Sequence, residues 1–443
     1  MPFADDFRGG IPIGRRFVLD KNEQKKKVRI GVFGGGRGIS MIEFCTFYDA
    51  AELVAICDKN DVVLDSCRRF LKKYNAEEKV TLYKNFDEFI EHDMDAVILA
   101  NYATEHAPFA IRCLDKGLHV LSDIAPVQCL KEAVELVEAV ERSGKVYAFG
   151  ENCCYFPGVM KLREEYRAGK FGKLLYAEGE YIHDCSSIWH KITYGEREHW
   201  RNKMYATFYC THSIGPIIHA TGEKPKTVVG YELLPSPRLT NLGYLKGTAG
   251  IEKITTQSGA VIRSTHGDMH KYGLWYSLYG TIGCAETDRK GDAAYNVVNE
   301  WFEEKLTTTV ADHTLEEAKK MIEMHGGADY YEMRYFINRI TGEGDSEQLI
   351  DVYEALDMFL PGLIAYKSVF QGNIPLEVPD LRDPKMRDKY RNDTFCVDPA
   401  VAGDQVVPSY SKGNPDIPDE VYEKVAAMWA EECKKAAEAD EGK

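Results

Sequence analysis

The sequence predicts an α/β protein in two parts: a doubly wound parallel sheet, then an α+β domain with a mostly antiparallel open sheet. Short apolar strands alternate with helices up to residue 150, and a glycine run follows the first of them. Beyond 150 the strand-like runs succeed one another in hairpin fashion. A chain of 443 residues, 44% hydrophobic, can bury more than one core.

Val28–Phe33 is a short apolar strand, followed by Gly34-Gly35-Gly36-Arg37-Gly38 and a periodic stretch through Phe47. Glu52–Cys57 reads as a second strand ending in Asp58, Val62–Tyr74 as a helix, Thr81–Tyr83 as a short strand and Asp93–Ala100 as a buried strand. Glu105–Lys116 has helical spacing and stops at Gly117, and His119–Ser122 is again a strand. Lys131–Arg142 is a helix closed by Gly144, and Lys145–Phe149 is the last strand of the unit. Val159–Arg167 is then helical, and Lys173–Asp184 alternates like a strand, with Leu175, Ala177, Gly179, Tyr181 and His183 on one face. Further strands are expected at Thr227–Leu233, Thr248–Thr256, Ala260–Thr265 and Leu274–Tyr279, and helices at Leu315–Met324, Asp329–Ile340 and Ser346–Val369. Residues 371–416 read as an ordered extension and Asp419–Ala439 as a charged terminal helix docked on the surface or on a partner. The resulting division is an arm (1–27), a dinucleotide-binding domain (28–150), a substrate-binding domain (151–380) and a C-terminal extension (381–443).

Composition narrows the function. Acids outnumber bases 70 to 55, and a net charge of −15 repels nucleic acid and anionic lipid, so neither is an expected partner. The apolar runs are too short to cross a bilayer, and the N-terminus reads as no secretory leader. Twelve scattered cysteines without metal spacing read as reduced thiols. A cytoplasmic protein is expected, and the basic arm and terminal helix suggest a homo-oligomer.

Three constellations could carry chemistry. Gly34, Gly36 and Gly38, between a strand and a helix, suit a pyrophosphate, although the sixth position of the GxGxxG pattern is Ile39. Asp58 would bind the ribose 2′-hydroxyl and repel a 2′-phosphate, so NAD is the expected cofactor of a Rossmann domain. Glu151-Asn152-Cys153-Cys154-Tyr155 follows the last strand, where such sheets bind ligands. Tyr209-Cys210-Thr211-His212-Ser213 leads into a helix that Thr211 or Ser213 can cap, which would favour a neutral His212 as a base for a hydroxyl proton. The alternative for His212 is a buried structural histidine. His219 is expected to be structural. His266, Asp268 and His270 are read as loop residues rather than metal ligands, and no metal is expected. Trp189-His190 and Trp275-Tyr276 are read as packing or sugar-stacking surfaces.

The order of glycine turn, Asp58, Asn101–His106, Ser122–Pro126, Glu151-Asn152 and His212 resembles the glucose-fructose oxidoreductase and inositol dehydrogenase (Gfo/Idh/MocA) superfamily over nearly residues 28–370. Its dehydrogenases carry Glu-Lys-Pro where this chain has Asp123-Ile124-Ala125-Pro126. Glu151–Tyr155, Tyr181-Ile182-His183-Asp184, Tyr209-x-Thr211-His212-x-x-Gly215-Pro216 and His325-Gly326-Gly327-x-Asp329-Tyr330 are similar to the NAD-dependent glycosidases typified by α-N-acetylgalactosaminidase. That resemblance implies a cycle of C3 oxidation, C2 deprotonation, loss of the C1 leaving group, water addition and re-reduction. It implies that His212, with Tyr209, serves the C3 hydroxyl and Tyr181 the C2 proton. Glu151 would protonate the leaving group or position water, and the last two roles could be exchanged. Arg37, Asn101, His106, Asp123 and Asn152 would join the cofactor set, and His183, Trp200 and Arg201 would bind a carbohydrate or glycoside. A C3-dehydrogenase releasing its keto product and a non-catalytic NAD-binding sensor are the competing readings.

Overall fold

The computed structural model describes residues 27–270, 272–289, 293–300, 303–310, 316–321 and 325–441. The expected N-terminal arm, Lys27 apart, lies outside the described residues. The first sheet is parallel, in the order β3-β2-β1-β4-β5-β6. Its strands are β1 Val28–Phe33, β2 Ala51–Cys57, β3 Thr81–Tyr83, β4 Ala96–Leu99, β5 His119–Asp123 and β6 Tyr147–Gly150. Strand β4 is buried along its whole length, as helices on both faces require. The helices Ile39–Phe47, Asp61–Lys73, His106–Asp115 and Leu130–Ser143 connect these strands. Asn60 caps the second of them by accepting from the Val62 amide, and Gly144 closes the last in a left-handed conformation, φ 62°.

The second sheet has nine strands in the order β14-β13-β12-β11-β7-β10-β9-β8-β15. They are β7 Leu174–His183, β8 Pro225–Glu232, β9 Ala249–Thr256, β10 Val261–Gly267, β11 Tyr272–Gly280, β12 Gly283–Thr287, β13 Ala293–Glu300, β14 Glu303–Val310 and β15 Leu376–Glu377. Every pairing is antiparallel except β10 with β7. The α/β class is as expected, with a mixed, mostly antiparallel second sheet.

The helix Thr211–Thr221 lies across β7, and β7 is shaped for it. A Cβ on Gly179 would stand 1.8 Å from the carbonyl oxygen of Ser213, so only glycine admits this approach. The helices Pro157–Arg167, Ala328–Thr341 and Val352–Phe370 complete the buried layer. None of the described helices is long and apolar enough to cross a membrane.

Several elements differ from expectation. The helix expected from Ser346 begins at Val352, because Asp351 accepts from the amides of Tyr353 and Glu354, each at 2.9 Å. The helix expected at Leu315–Met324 is a 3-10 turn, Ala318–Met321, with 315 and 322–324 outside the described residues. Strands β12 to β15 were not foreseen, since their polar sequences carry little hydrophobic alternation. The segment after residue 377 runs as a strap over the first domain. Arg387 pairs with both carboxylate oxygens of Glu141 at 2.6 Å, and Arg391 with Glu138 at 2.7 Å.

Candidate active site

The glycine turn between β1 and the helix Ile39–Phe47 is built to admit a ligand. Gly34 has φ 99°, and a Cβ there would meet the Ala100 carbonyl at 2.3 Å. A Cβ on Gly38 would stand 2.5 Å from the Gly34 oxygen. No side chain caps the helix, so an anion can take that place. The carboxylate of Asp58, at the end of β2, accepts from the Gly35 amide at 2.9 Å and the Asn60 amide at 2.9 Å. Burial raises its pKa, while these amides pull it down. The side-chain oxygen of Asn101 is buried without a partner beside the turn. Glycines that no side chain could replace, an uncapped helix end and an orphaned acceptor fit a dinucleotide.

A cavity of about 950 Å³ runs from this turn into the space between the two sheets. Gly34, Gly36, Arg37, Asp58, Asn101, Asp123 and Asn152 line it, as do Tyr181, His183, Trp200, Arg201, Tyr209 and His212. Three expected residues stand apart from its wall, Gly38 among them, where it is packed against the Gly34 carbonyl. His106 is buried, with Nδ1 bonded to the Ala125 carbonyl at 2.9 Å, so it holds the loop after β5, while its Nε2 is buried without a partner. Glu151 is fully buried behind His212.

That placement changes the reading of Glu151. Its Oε1 lies 2.6 Å from His212 Nδ1 and accepts from the Cys153 amide at 3.2 Å, while Oε2 is buried without a partner. A carboxylate at Nδ1 keeps the proton on that nitrogen and leaves Nε2 as the acceptor of the ring. Glu151 therefore orients His212; it does not reach a leaving group. The helix cap expected from Thr211 or Ser213 is also absent. Cys210 is the capping position without a side-chain bond, and the Ser213 hydroxyl bonds to the Cys210 carbonyl and to Ser264. Glu151, not the helix end, is the partner that sets the tautomer of His212. Cys153 Sγ also lies 3.2 Å from His212 Nδ1, so Glu151, Cys153 and His212 form a buried trio of possible metal ligands.

Tyr181 faces His212 with ring centroids 4.4 Å apart, and its hydroxyl lies 2.8 Å from His183 Nδ1. Burial pushes the Tyr181 phenol well above its ordinary range and lowers the His183 imidazole, so the phenol donates and the neutral ring accepts. Tyr209 stands 5.1 Å from His212, ring to ring, and burial raises it to about 12 against the opposing pull of Arg201. Arg201 lies over Trp200 at 4.4 Å and Tyr209 at 5.6 Å.

Asp329 was not singled out as a site residue, although it belongs to the His325–Tyr330 motif. It is fully buried and accepts from Arg37 at 3.0 Å and Ser40 at 2.5 Å, and contacts His325 at 3.1 Å and Asn152 at 3.4 Å. These cations and donors hold its pKa below the carboxylate range against burial. Arg37 also meets Asp123 at 2.9 Å, and through Asp329 it links the first domain to the second. His266 lies on β10, not in a loop, and bonds to Glu252 at 2.8 Å. Asp268 pairs with Lys246 at 2.7 Å and His270 with Asp184 at 2.8 Å. Each has its own partner, and no metal set forms there among the described residues. Trp189 is buried against Tyr244 at 3.7 Å and His219 bonds to Glu354 at 2.8 Å, both as packing.

Residues 28–151 match the model of the oxidoreductase family with an NAD-binding Rossmann fold. The first domain belongs to that family. The cofactor of this oxidoreductase-family domain is NAD. Over most of its length the chain is similar to a glycosyl hydrolase family 109 protein of Solibacter usitatus, 28% identical over 80% of this chain and 88% of the relative. A family 109 protein of Bacteroides thetaiotaomicron is 25% identical over 80% of this chain and 84% of its own. Among solved structures, levoglucosan dehydrogenase in complex with NADH and levoglucosan shares the fold, with TM-score 0.65 and 17% identity over 80% of this chain and all of that one. An oxidoreductase from Agrobacterium radiobacter in complex with NAD+ has TM-score 0.65 and 13% identity, over 80% and 99% of the two chains.

Proposed function

We propose that the protein is an NAD-dependent glycoside hydrolase that cleaves its substrate through transient oxidation at C3. The observation that carries this reading is a second proton-handling pair. A plain alcohol oxidation needs one base, yet Tyr181–His183 stands beside His212–Glu151 at the same end of the cavity. The similarity to family 109 proteins supports the same reading.

NAD held by the glycine turn, Asp58 and Asn101 would supply reversible hydride acceptance at C3. His212 Nε2 accepts the C3 hydroxyl proton, with Glu151 balancing the charge that forms on the ring. The C3 ketone acidifies the C2 proton, which passes to the Tyr181 oxygen as the phenol passes its own proton to His183 Nδ1. The C1 group then leaves as its alcohol with a proton from solvent, water adds its hydroxyl to C1 and gives a proton back to solvent, and the two pairs return their protons to C2 and to the C3 oxygen. Arg201 and Trp200 hold the sugar from the side of Tyr209. Ile124, where dehydrogenases of the resembling superfamily have lysine, leaves the C3 proton to His212.

The test is to incubate the purified enzyme with a panel of aryl glycosides in D2O without added cofactor. Aglycone release without net NADH, and deuterium at C2 of the freed sugar, is the expected outcome. NADH accumulation with the glycosidic bond intact would replace this reading by the C3-dehydrogenase, and no turnover with no change at the nicotinamide would leave a sensor. The twelve free cysteines support action in the reducing cytoplasm on small glycosides. Tyr176, Val261 and Tyr279 are cross-strand neighbours on the outer face of the large sheet, and support a homo-oligomer that light scattering would detect.

A further inference from the structure

The loop between β7 and the helix Thr211–Thr221 folds back over the first domain, and one of its side chains reaches the glycine turn. A Cβ built on Gly36 would lie 2.3 Å from the Tyr194 hydroxyl, its nearest neighbour. Gly36 is the second glycine of the turn, the position whose bare backbone lets a pyrophosphate approach. Among the described residues the Tyr194 hydroxyl has no hydrogen-bond partner, and it lines the cavity. Burial raises this phenol to about 12, so it stays a proton donor at any physiological pH.

The loop is pinned from two sides. Towards the first domain, the Tyr102 hydroxyl donates to Glu196 at 2.7 Å, and the His199 ring packs against Tyr102 at 4.5 Å. From outside, the terminal helix Asp419–Glu441 lies on the loop. Its Trp429 meets the Tyr194 ring edge-on at 5.5 Å and lines the same cavity. Gly195 permits this approach, since a Cβ there would stand 2.8 Å from the Ala426 Cα and 3.1 Å from the Trp429 Cβ. Lys191–Glu432 and Arg197–Asp419, each at 2.6 Å, fasten the helix along its length. Tyr194 itself has φ 52°, a left-handed conformation that a bulky residue keeps only where its surroundings enforce it.

We infer that Tyr194 is a cofactor-binding residue supplied by the second domain, its hydroxyl donating to the pyrophosphate of NAD, and that Trp429 of the C-terminal helix is the positioning residue that holds it there. The terminal helix is thus part of the cofactor site, and it keeps the dinucleotide in place between turnovers. A reaction that returns its hydride in each cycle gains from such retention, because an NADH lost midway would strand a keto intermediate. The inference rests on NAD binding alone and stands apart from the glycosidase reading.

The test reads release of the cofactor with no glycoside present, so its outcome is independent of the reaction. The full-length chain is loaded with NADH and chased with excess NAD+ while nicotinamide fluorescence is followed. Tyr194→Phe removes one oxygen and keeps the ring under Trp429, and is expected to speed release about tenfold, the equivalent of ~1.4 kcal/mol. Trp429→Ala is expected to speed release to a similar degree, and the double variant no further than the larger single effect, because both act through one hydroxyl. Unchanged release in Tyr194→Phe overturns the proposal, whatever Trp429→Ala does. Fully additive effects overturn the link between the two residues. A melting temperature for Tyr194→Phe equal to that of the parent excludes a general loosening of the fold.

Discussion

At the residue scale, the pairing of Glu151 with His212 governs what each can do. A carboxylate with no exposure gains nothing from water, so the imidazole is its main compensation. Glu151→Gln keeps the shape but removes the charge that stabilises a protonated ring. It is expected to lower kcat by on the order of 10²–10⁴-fold, by analogy with orienting acids elsewhere, with KM nearly unchanged. His212→Ala should abolish turnover while the chain still binds NAD, as equilibrium dialysis would show; loss of NAD binding would mean that the ring is structural. The Tyr181–His183 pair adds a pH signature. Burial lowers His183 below its ordinary 6.5, so the protonation that would deprive Tyr181 of its acceptor sets in only at more acid pH. His183→Gln should change that acid limb of kcat. Glu151 and His212 were both visible in the sequence, but their relation was not. Which of Glu151 and Asn152 faces the cavity depends on one turn of backbone after β6, and that turn put the amide outward and the acid behind the histidine.

At the scale of elements, the helix that carries His212 is positioned by what its neighbours lack. Gly179→Ala would drive a methyl group into the Ser213 carbonyl 1.8 Å away, and should displace that helix at a cost of at least ~1–3 kcal/mol. A denaturant titration and an activity assay would read the two effects together; a variant as stable and active as the parent would mean that β7 and the helix are not packed this closely. The helix Leu130–Ser143 offers a test by pH. Burial raises the Glu132 carboxyl to about 7 from 4.5, despite the amide of Gln128 at 2.6 Å. A raised acid binds its proton more tightly in the folded chain, so the stability this one carboxyl contributes is full below pH 4.5 and declines up to about pH 7. Glu132→Gln removes that decline. It should match the parent at acid pH and exceed it by up to about 3 kcal/mol above neutrality, seen as a pH-dependent gain in melting temperature. Period and capping residues made most helices of the first domain readable, whereas β12 to β14 were hidden because their stability comes from cross-strand pairing.

At the scale of the whole molecule, two domains share one cavity and are joined through buried charge. Asp329 of the second domain and Asp123 of the first bracket Arg37, so a buried ion pair ties the glycine turn to the helix Ala328–Thr341. Ligands that bind only the folded chain raise its stability by mass action, about 2.7 kcal/mol at a hundredfold excess over Kd. NAD should therefore raise the melting temperature by a few degrees, and NADP at equal concentration should not, because Asp58 would face its 2′-phosphate. An equal shift with both dinucleotides would remove Asp58 from the selecting role.

Local pattern in the chain was enough to determine the alternation of strand and helix, the glycine turn with Asp58 at the end of the next strand, and the motifs that point to NAD. Each of those signals spans a few tens of residues and reflects constraints that act within one βαβ unit. Tertiary structure alone decided that Glu151 backs His212, that Asp329 reaches Arg37, and that Trp429 from the far end of the chain packs on Tyr194. Those partners lie 61, 292 and about 235 positions apart, and no period or spacing connects them. Packing of the two sheets and the closing strap brings them within hydrogen-bond or ring contact, where burial makes their pairing obligatory.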